Sequence, residues 1–271
     1  MRINKRTQRI VAGTLALIGL GLGAYSMPAQ AAKTYVIATS ADFPPLSFRS
    51  PDDPAKIVGF EMDMIKSIAK HAGWKYKIVT SDFSGLIPAV QSGRVDMVVS
   101  DVYHTEARQK IVDFVDYLKN GFGVMVSAAN AGKIKSYADL CGMDMGVLTG
   151  SAPELQAVQA ASEANCTSKG KPAIKARSYP AVAQELPQLE NGRLGGIFES
   201  VSTLGYVETQ NPGKFHIAVI DPDTTNAGIV LKKGSPLVAE VQKQMHWYLG
   251  SAAARADAKR WGLPVSTLLA P

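Results

Sequence analysis

Residues Asp96–Phe114 read DMVVSDVYHTEARQKIVDF. The run Asp96-Met-Val-Val-Ser100 is short, apolar and β-branched, which predicts a buried strand. Thr105-Glu-Ala-Arg108 has an N-cap residue followed by an acidic first turn, which predicts the opening of a helix. A strand end that leads into a helix start is where an α/β sheet gathers ligands, because the first helical N–H groups point outward there. Arg108 would add a planar, permanently charged fork that suits a carboxylate. A plain surface arginine in an i,i+4 network fits the same letters, so the neighbouring segments have to decide.

Upstream, Thr34–Thr39 (TYVIAT) predicts a strand and Ala41–Pro45 the loop that leaves it. Gly59-Phe-Glu-Met-Asp-Met64 opens a helix running to His71, with Met64, Ile65, Ile68 and Ala69 as its apolar stripe. Gly73 ends it, Tyr76–Val79 is a second strand, and Ser84–Ser92 is a helix closed by Gly93. With Asp96–Ser100 the alternation is β-α-β-α-β, which argues for a parallel sheet with right-handed crossovers.

Downstream a second alternating set begins. Phe122–Ser127, Met145–Leu148, Gly195–Phe198, Phe215–Ile220 and Gly228–Leu231 read as strands. Ser151–Ala164, Pro180–Glu190, Pro236–Leu249 and Ala252–Trp261 read as helices. We expect two lobes, 32–120 with 225–271 and 121–224, joined by crossings at Leu118–Gly121 and Pro222–Asn226.

Residues 1–31 are expected to be an export signal. Arg2, Lys5, Arg6 and Arg9 precede the uncharged stretch Ile10–Ala24, and Ala29-Gln30-Ala31 places small residues before a cleavage point at Ala32. The stretch is about 15 residues, short of the roughly 20 that span a bilayer, and no cysteine near Ala32 invites a lipid anchor. Losing four basic and no acidic residues takes the formal net charge from +6 to +2. So nearly neutral a chain lacks the concentrated basic face that nucleic-acid binding requires.

Cys141 and Cys166 are the two cysteines, and in an exported protein they predict a disulfide worth about 3 kcal/mol. The four histidines are scattered without paired spacing, so neither a metal nor another cofactor is expected. The sequence has no GxSxG elbow, no HExxH and no phosphate-binding GxxxxGK[ST] loop. The reading is a monomeric binding protein and not an enzyme.

Taken together, several segments resemble the periplasmic solute-binding proteins of polar amino-acid ABC transporters. They are the aromatic-Pro-Pro loop of Asp42–Phe48, GFEMDM, DFSGLIPAVQSGRVDM, TEAR, GVLTGSAPE and the terminal KRWGL. LCGMDMGV and CTSKGKPAIK are similar to a disulfide-bearing branch of that family. The resemblance implies an α/β, two-lobed (type II) fold with two crossing hinge strands, closure on a small carboxylate-bearing solute, and a membrane permease as partner. It implies Phe43 and Phe83 as walls for the ligand side chain, Arg108 as the grip on its carboxylate, and Gly150 and Ser151 as backbone donors to the same group.

Three positions depart from the family pattern. Tyr103 stands where a small hydroxyl is usual. Asp101 introduces an acid that can neutralise Arg108 or receive a cationic group of the ligand. The aspartate expected for the α-ammonium falls at Ser200; its neighbour Glu199 is a candidate ligand-binding residue that can take that role if the register shifts by one, although strand alternation would normally turn it to the opposite face. A ligand without an α-amine is therefore open. Two alternatives remain beside capture for import. One is a dehydratase-like enzyme on the same fold, with Glu199 or Asp101 as proton donor; the other is a sensory or accessory binding module.

Overall fold

The computed structural model describes residues 33–271; the expected signal segment lies outside the described residues. In chain order the first elements are β1 (Thr34–Thr39), β2 (Asp42–Phe43), β3 (Ser47–Arg49), β4 (Ile57–Val58), α1 (Phe60–Ala72), β5 (Lys75–Thr80), α2 (Phe83–Gln91) and β6 (Met97–Val98). Then come α3 (Glu106–Gln109), β7 (Val112–Ser127), β8 (Asp144–Leu148), α4 (Ala152–Asn165), β9 (Lys175–Tyr179) and α5 (Val182–Glu190). The chain finishes with β10 (Gly196–Ser200), α6 (Val201–Gln210), β11 (Phe215–Lys232), α7 (Leu237–Gly250) and α8 (Ala252–Arg260).

Eight strands form one mixed sheet in the order β5-β1-β6-β11-β7-β10-β8-β9. β1 pairs in parallel with β5 and β6, while β8 pairs in parallel with β9 and β10. Between these parallel wings, β7 and β11 run antiparallel along almost their whole lengths. The alternating βα segments thus give parallel strands, as their crossovers require.

Each wing has its own apolar core. Ile37, Met64, Ile68, Met97, Tyr117, Val230 and Tyr248 pack together on one side of the molecule. In the other wing Val124, Val147, Val158 and Phe198 form one cluster, and Met125, Leu189, Ile197 and Leu204 another. Val124 and Met125 are consecutive on β7, so strand alternation sends them to opposite faces of the sheet. The wing is consequently covered on both faces.

Three expectations need correction. The helix predicted after Thr105 is a single turn, α3, because β7 already begins at Val112. The strand predicted over Asp96–Ser100 pairs as a strand only at Met97–Val98; the Asp96 carboxylate accepts from Val36 N, and Asp101 turns the chain with φ +46°. Phe215–Ile220 and Gly228–Leu231, expected as separate strands, are parts of one strand, β11, and the crossings at Leu118–Gly121 and Pro222–Asn226 are continuous with the strands beside them. They lie inside β7 and β11, whose register slips between Ile220 and Thr224, where a bulge absorbs the extra residues.

The expected disulfide is present between Cys141 and Cys166, separated by 25 positions. Cys166 is fully buried against Val147 and Val158 in the second wing. Replacing both cysteines by serine should cost about 3 kcal/mol through the freer unfolded chain. Guanidinium denaturation of the double variant checks it; an unchanged midpoint would sink the estimate.

Candidate functional site

The site forms where the two wings face each other across β7 and β11. Phe43 ends β2 and Phe83 begins α2, each directly after an aspartate, and their rings meet edge-on at 5.5 Å. The Arg108 guanidinium lies 5.7 Å from the centre of the Phe83 ring, a cation–π arrangement. Thr105 fixes the turn that carries Arg108 by accepting from its backbone N–H at 3.3 Å. The guanidinium donates through Nη1 to the Tyr103 carbonyl at 3.0 Å, and it makes no ion pair among the described residues. Only 8% of Arg108 is exposed. A buried guanidinium with most of its donors unused is a ready receptor for a carboxylate.

Asp101 takes its place through Glu61 and Asn120. Its N–H donates to Glu61 Oε1 at 2.8 Å, and Asn120 Nδ2 donates to its two carboxylate oxygens at 3.2 and 3.3 Å. Glu61 also accepts from the Tyr117 hydroxyl. Burial, reinforced by the nearby Glu61, pushes the Asp101 carboxyl up to about 7. The Tyr103 hydroxyl is occupied elsewhere, donating to the Gly121 carbonyl at 3.0 Å while its ring packs 4.6 Å from Phe122.

From the second wing, Ser151 and Glu154 come with the start of α4, and Glu199 with the end of β10. Glu154 accepts from Leu148 N at 2.7 Å, yet burial raises it to about 8. Glu199 accepts from Ser200 N at 2.5 Å; burial, then Glu154, raises its pKa well above the ordinary carboxylate range. Phe43, Phe83, Asp101, Tyr103, Arg108, Ser151 and Glu199 line one small cavity, together with Phe122 and Glu154.

Two expected residues stand back from that cavity. Ser200, just before α6, does not line the cavity itself; its hydroxyl donates to Thr203 at 3.0 Å and lies within reach of the Asp101 and Tyr103 side chains that do. Glu199, expected on the far face, is the one that reaches the cavity. Gly150 lies beside it with φ +89°, and a Cβ there would stand 2.8 Å from both Ser84 Cα and Cβ. The two wings touch at that point. A second direct contact between wings is Asp42, which accepts from Val182 N at 2.5 Å and so caps α5, a helix without a capping side chain of its own. Phe122 and Glu154 were not anticipated as site residues. Glu154 was visible only as an acidic first-turn residue in an alanine-rich helix.

The cavity encloses about 10 Å³, roughly the room of one water. A space of that size admits no amino-acid-sized solute without movement of the side chains around it. Among the described residues no group of three or more His, Cys, Asp or Glu side chains could hold a metal ion.

Residues 35–263 match the bacterial extracellular solute-binding proteins, family 3. The chain belongs to that family. An L-arginine-binding protein of Pseudomonas aeruginosa is 30% identical over 236 residues, covering 83% of this chain and 86% of that protein. An ancestral arginine-binding protein bound to arginine superposes with TM-score 0.76 at 29% identity, covering 84% of this chain and 97% of that one. An ancestral amino acid-binding protein described as a precursor of cyclohexadienyl dehydratase is 26% identical with TM-score 0.71, covering 84% and 95%. The family and these neighbours bear out the two-lobed α/β fold implied by the sequence motifs. None of the described helices is long and apolar enough to cross a membrane.

Proposed function

We propose that the protein is the periplasmic solute-binding component of an ABC importer, exported by cleavage before Ala32 and without enzymatic activity. It captures a small carboxylate-bearing amino-acid-type solute between lobe one (32–120 with 225–271) and lobe two (121–224), then presents the closed form to a membrane permease. The observation that carries this reading is the charge inventory of the cavity: one buried, unpaired Arg108 facing Asp101, Glu154 and Glu199. Arg108 answers the solute carboxylate, Phe43 and Phe83 flank its side chain, and Gly150 adds its backbone N–H on closure; the Ser151 N–H already donates to the Leu148 carbonyl at 3.0 Å, so Ser151 contributes through its hydroxyl.

Three carboxylates against one guanidinium favour a solute with more cationic than anionic groups. That argues against the amine-free ligand which the serine at position 200 left open. It also agrees with the naming of similar proteins for arginine.

Calorimetric titration with L-arginine, L-lysine, L-histidine, L-glutamate and glutarate tests the reading. The basic amino acids should bind and glutarate should not; preference for glutarate would overturn it. Arg108→Ala should weaken the best solute about 30- to 100-fold, the worth of a lost charged hydrogen bond of roughly 2–3 kcal/mol. Unchanged affinity in that variant would remove Arg108 from the site. The dehydratase alternative is checked by incubation with prephenate, where no aromatic product should form.

A further inference from the structure

A groove of about 630 Å³ lies on the other side of Asn120 from the carboxylate cavity. It runs between α6, the β7 segment at Leu118–Asn120 and the chain after α8. Its volume is within the roughly 300–1,000 Å³ of small-molecule sites. The charge inventory is the reverse of the cleft's: Lys119 and Arg260 line it and no acidic side chain does. Lys119 makes no ion pair among the described residues, while Arg260 reaches Asp63 at 3.2 Å and spreads its guanidinium 5.5 Å from the Trp261 ring.

The wall is aromatic. Tyr206 and Trp261 line the groove and are buttressed by Phe48, whose ring lies 5.4 Å from Tyr206 and 5.7 Å from Trp261. Gly205 faces open space, since a Cβ built there meets nothing within 4 Å. At the inner end Ser202 accepts from Asn120 Nδ2 at 2.8 Å, the same amide that holds Asp101. Asn120 therefore partitions the two spaces.

We propose that this groove is a second ligand site, separate from the cleft, for a small planar aromatic anion. The ring lies along Tyr206 and Trp261, and its carboxylate is met by Lys119 and by the free edge of Arg260. The negative cleft rejects such a molecule, so the two sites take opposite charges.

The test is calorimetric titration of the mature protein with 2-naphthoate, in the presence of saturating L-arginine. Binding at one site per chain is expected, unaffected by Arg108→Ala, at least tenfold weaker in Lys119→Glu, and absent in Gly205→Leu. The last variant fills the groove from a helical position where leucine is the better helix former, so its melting temperature should hold or rise. 2-Naphthylmethylammonium, the cationic counterpart, should bind at least tenfold more weakly than 2-naphthoate. Absence of naphthoate binding, equal binding by Gly205→Leu, equal binding of the cation, or loss of binding in Arg108→Ala would each overturn the proposal. The cleft assignment is judged separately by the amino-acid titrations.

Discussion

Gly150→Ala should weaken solute binding about a thousand-fold while leaving the fold in place. A methyl group at position 150 would lie 2.8 Å from Ser84 Cα, a backbone atom of the opposite wing that cannot swing aside. The variant can fold with the lobes apart, but it cannot bring them together. What is lost is the contribution of Gly150, Ser151 and Glu154 to the enclosed solute. Two or more charged hydrogen bonds at roughly 1.5–3 kcal/mol each amount to about 4 kcal/mol, or three orders of magnitude in affinity. Alanine at φ +89° also strains the backbone, by about 1–2 kcal/mol. Gly170→Ala is the control, because its φ is +70° and nothing lies within 4 Å of the added atom. It should show the strain in its melting temperature and none of the affinity loss. Equal affinities for the two variants would mean that contact at Gly150 does not govern capture.

Much of this architecture was legible because burial writes itself into the letters. TYVIAT, the α1 stripe of Met64, Ile65 and Ile68, and the glycine stops at Gly73 and Gly93 correspond to β1, α1 and its end, and the close of α2. The hinge was less legible. Lys119, Asn120, Thr224 and Thr225 are polar and were expected only as crossings, yet β7 and β11 continue through them because each supplies the other's backbone partners. Helix α6 was missed for a similar reason. Ser202, Thr203 and Gly205 are weak helix formers, and it is the packing of Leu204 and Val207 that holds the helix.

At the site, the sequence reading named Arg108, Phe43, Phe83, Asp101 and Glu199, which line one cavity, but it missed Glu154. Glu199 was expected there only on a one-residue register shift, because strand alternation set it on the other face, a rule that weakens where β10 gives way directly to α6. Glu154 gave no warning, since a first-turn glutamate usually serves its own helix terminus. That its carboxylate instead reaches back to Leu148 N and borders the cleft is a tertiary fact.

Those acids should make the proposed lobe closure sensitive to pH in the empty protein. In the shut form burial raises Asp42 to about 6, Asp101 to about 7 and Glu154 to about 8. Open and hydrated, such carboxyls titrate near 4. A pKa raised by closure means that protonation favours the closed form. The benefit is complete below about pH 4 and is lost as pH rises through 6 to 8. The empty protein should therefore be compact at pH 5 and extended at pH 8.5 in small-angle X-ray scattering. Asp101→Asn and Glu154→Gln, which keep the shape without the charge, should each flatten that response. At pH 8.5 a basic amino acid should restore the compact form by supplying the positive charge that protons supply at pH 5, and its affinity should fall on acidification as protons compete. If the empty protein instead opened on acidification, the carboxylates would be ionised in the shut cavity, and their burial would not be what opposes closure at high pH.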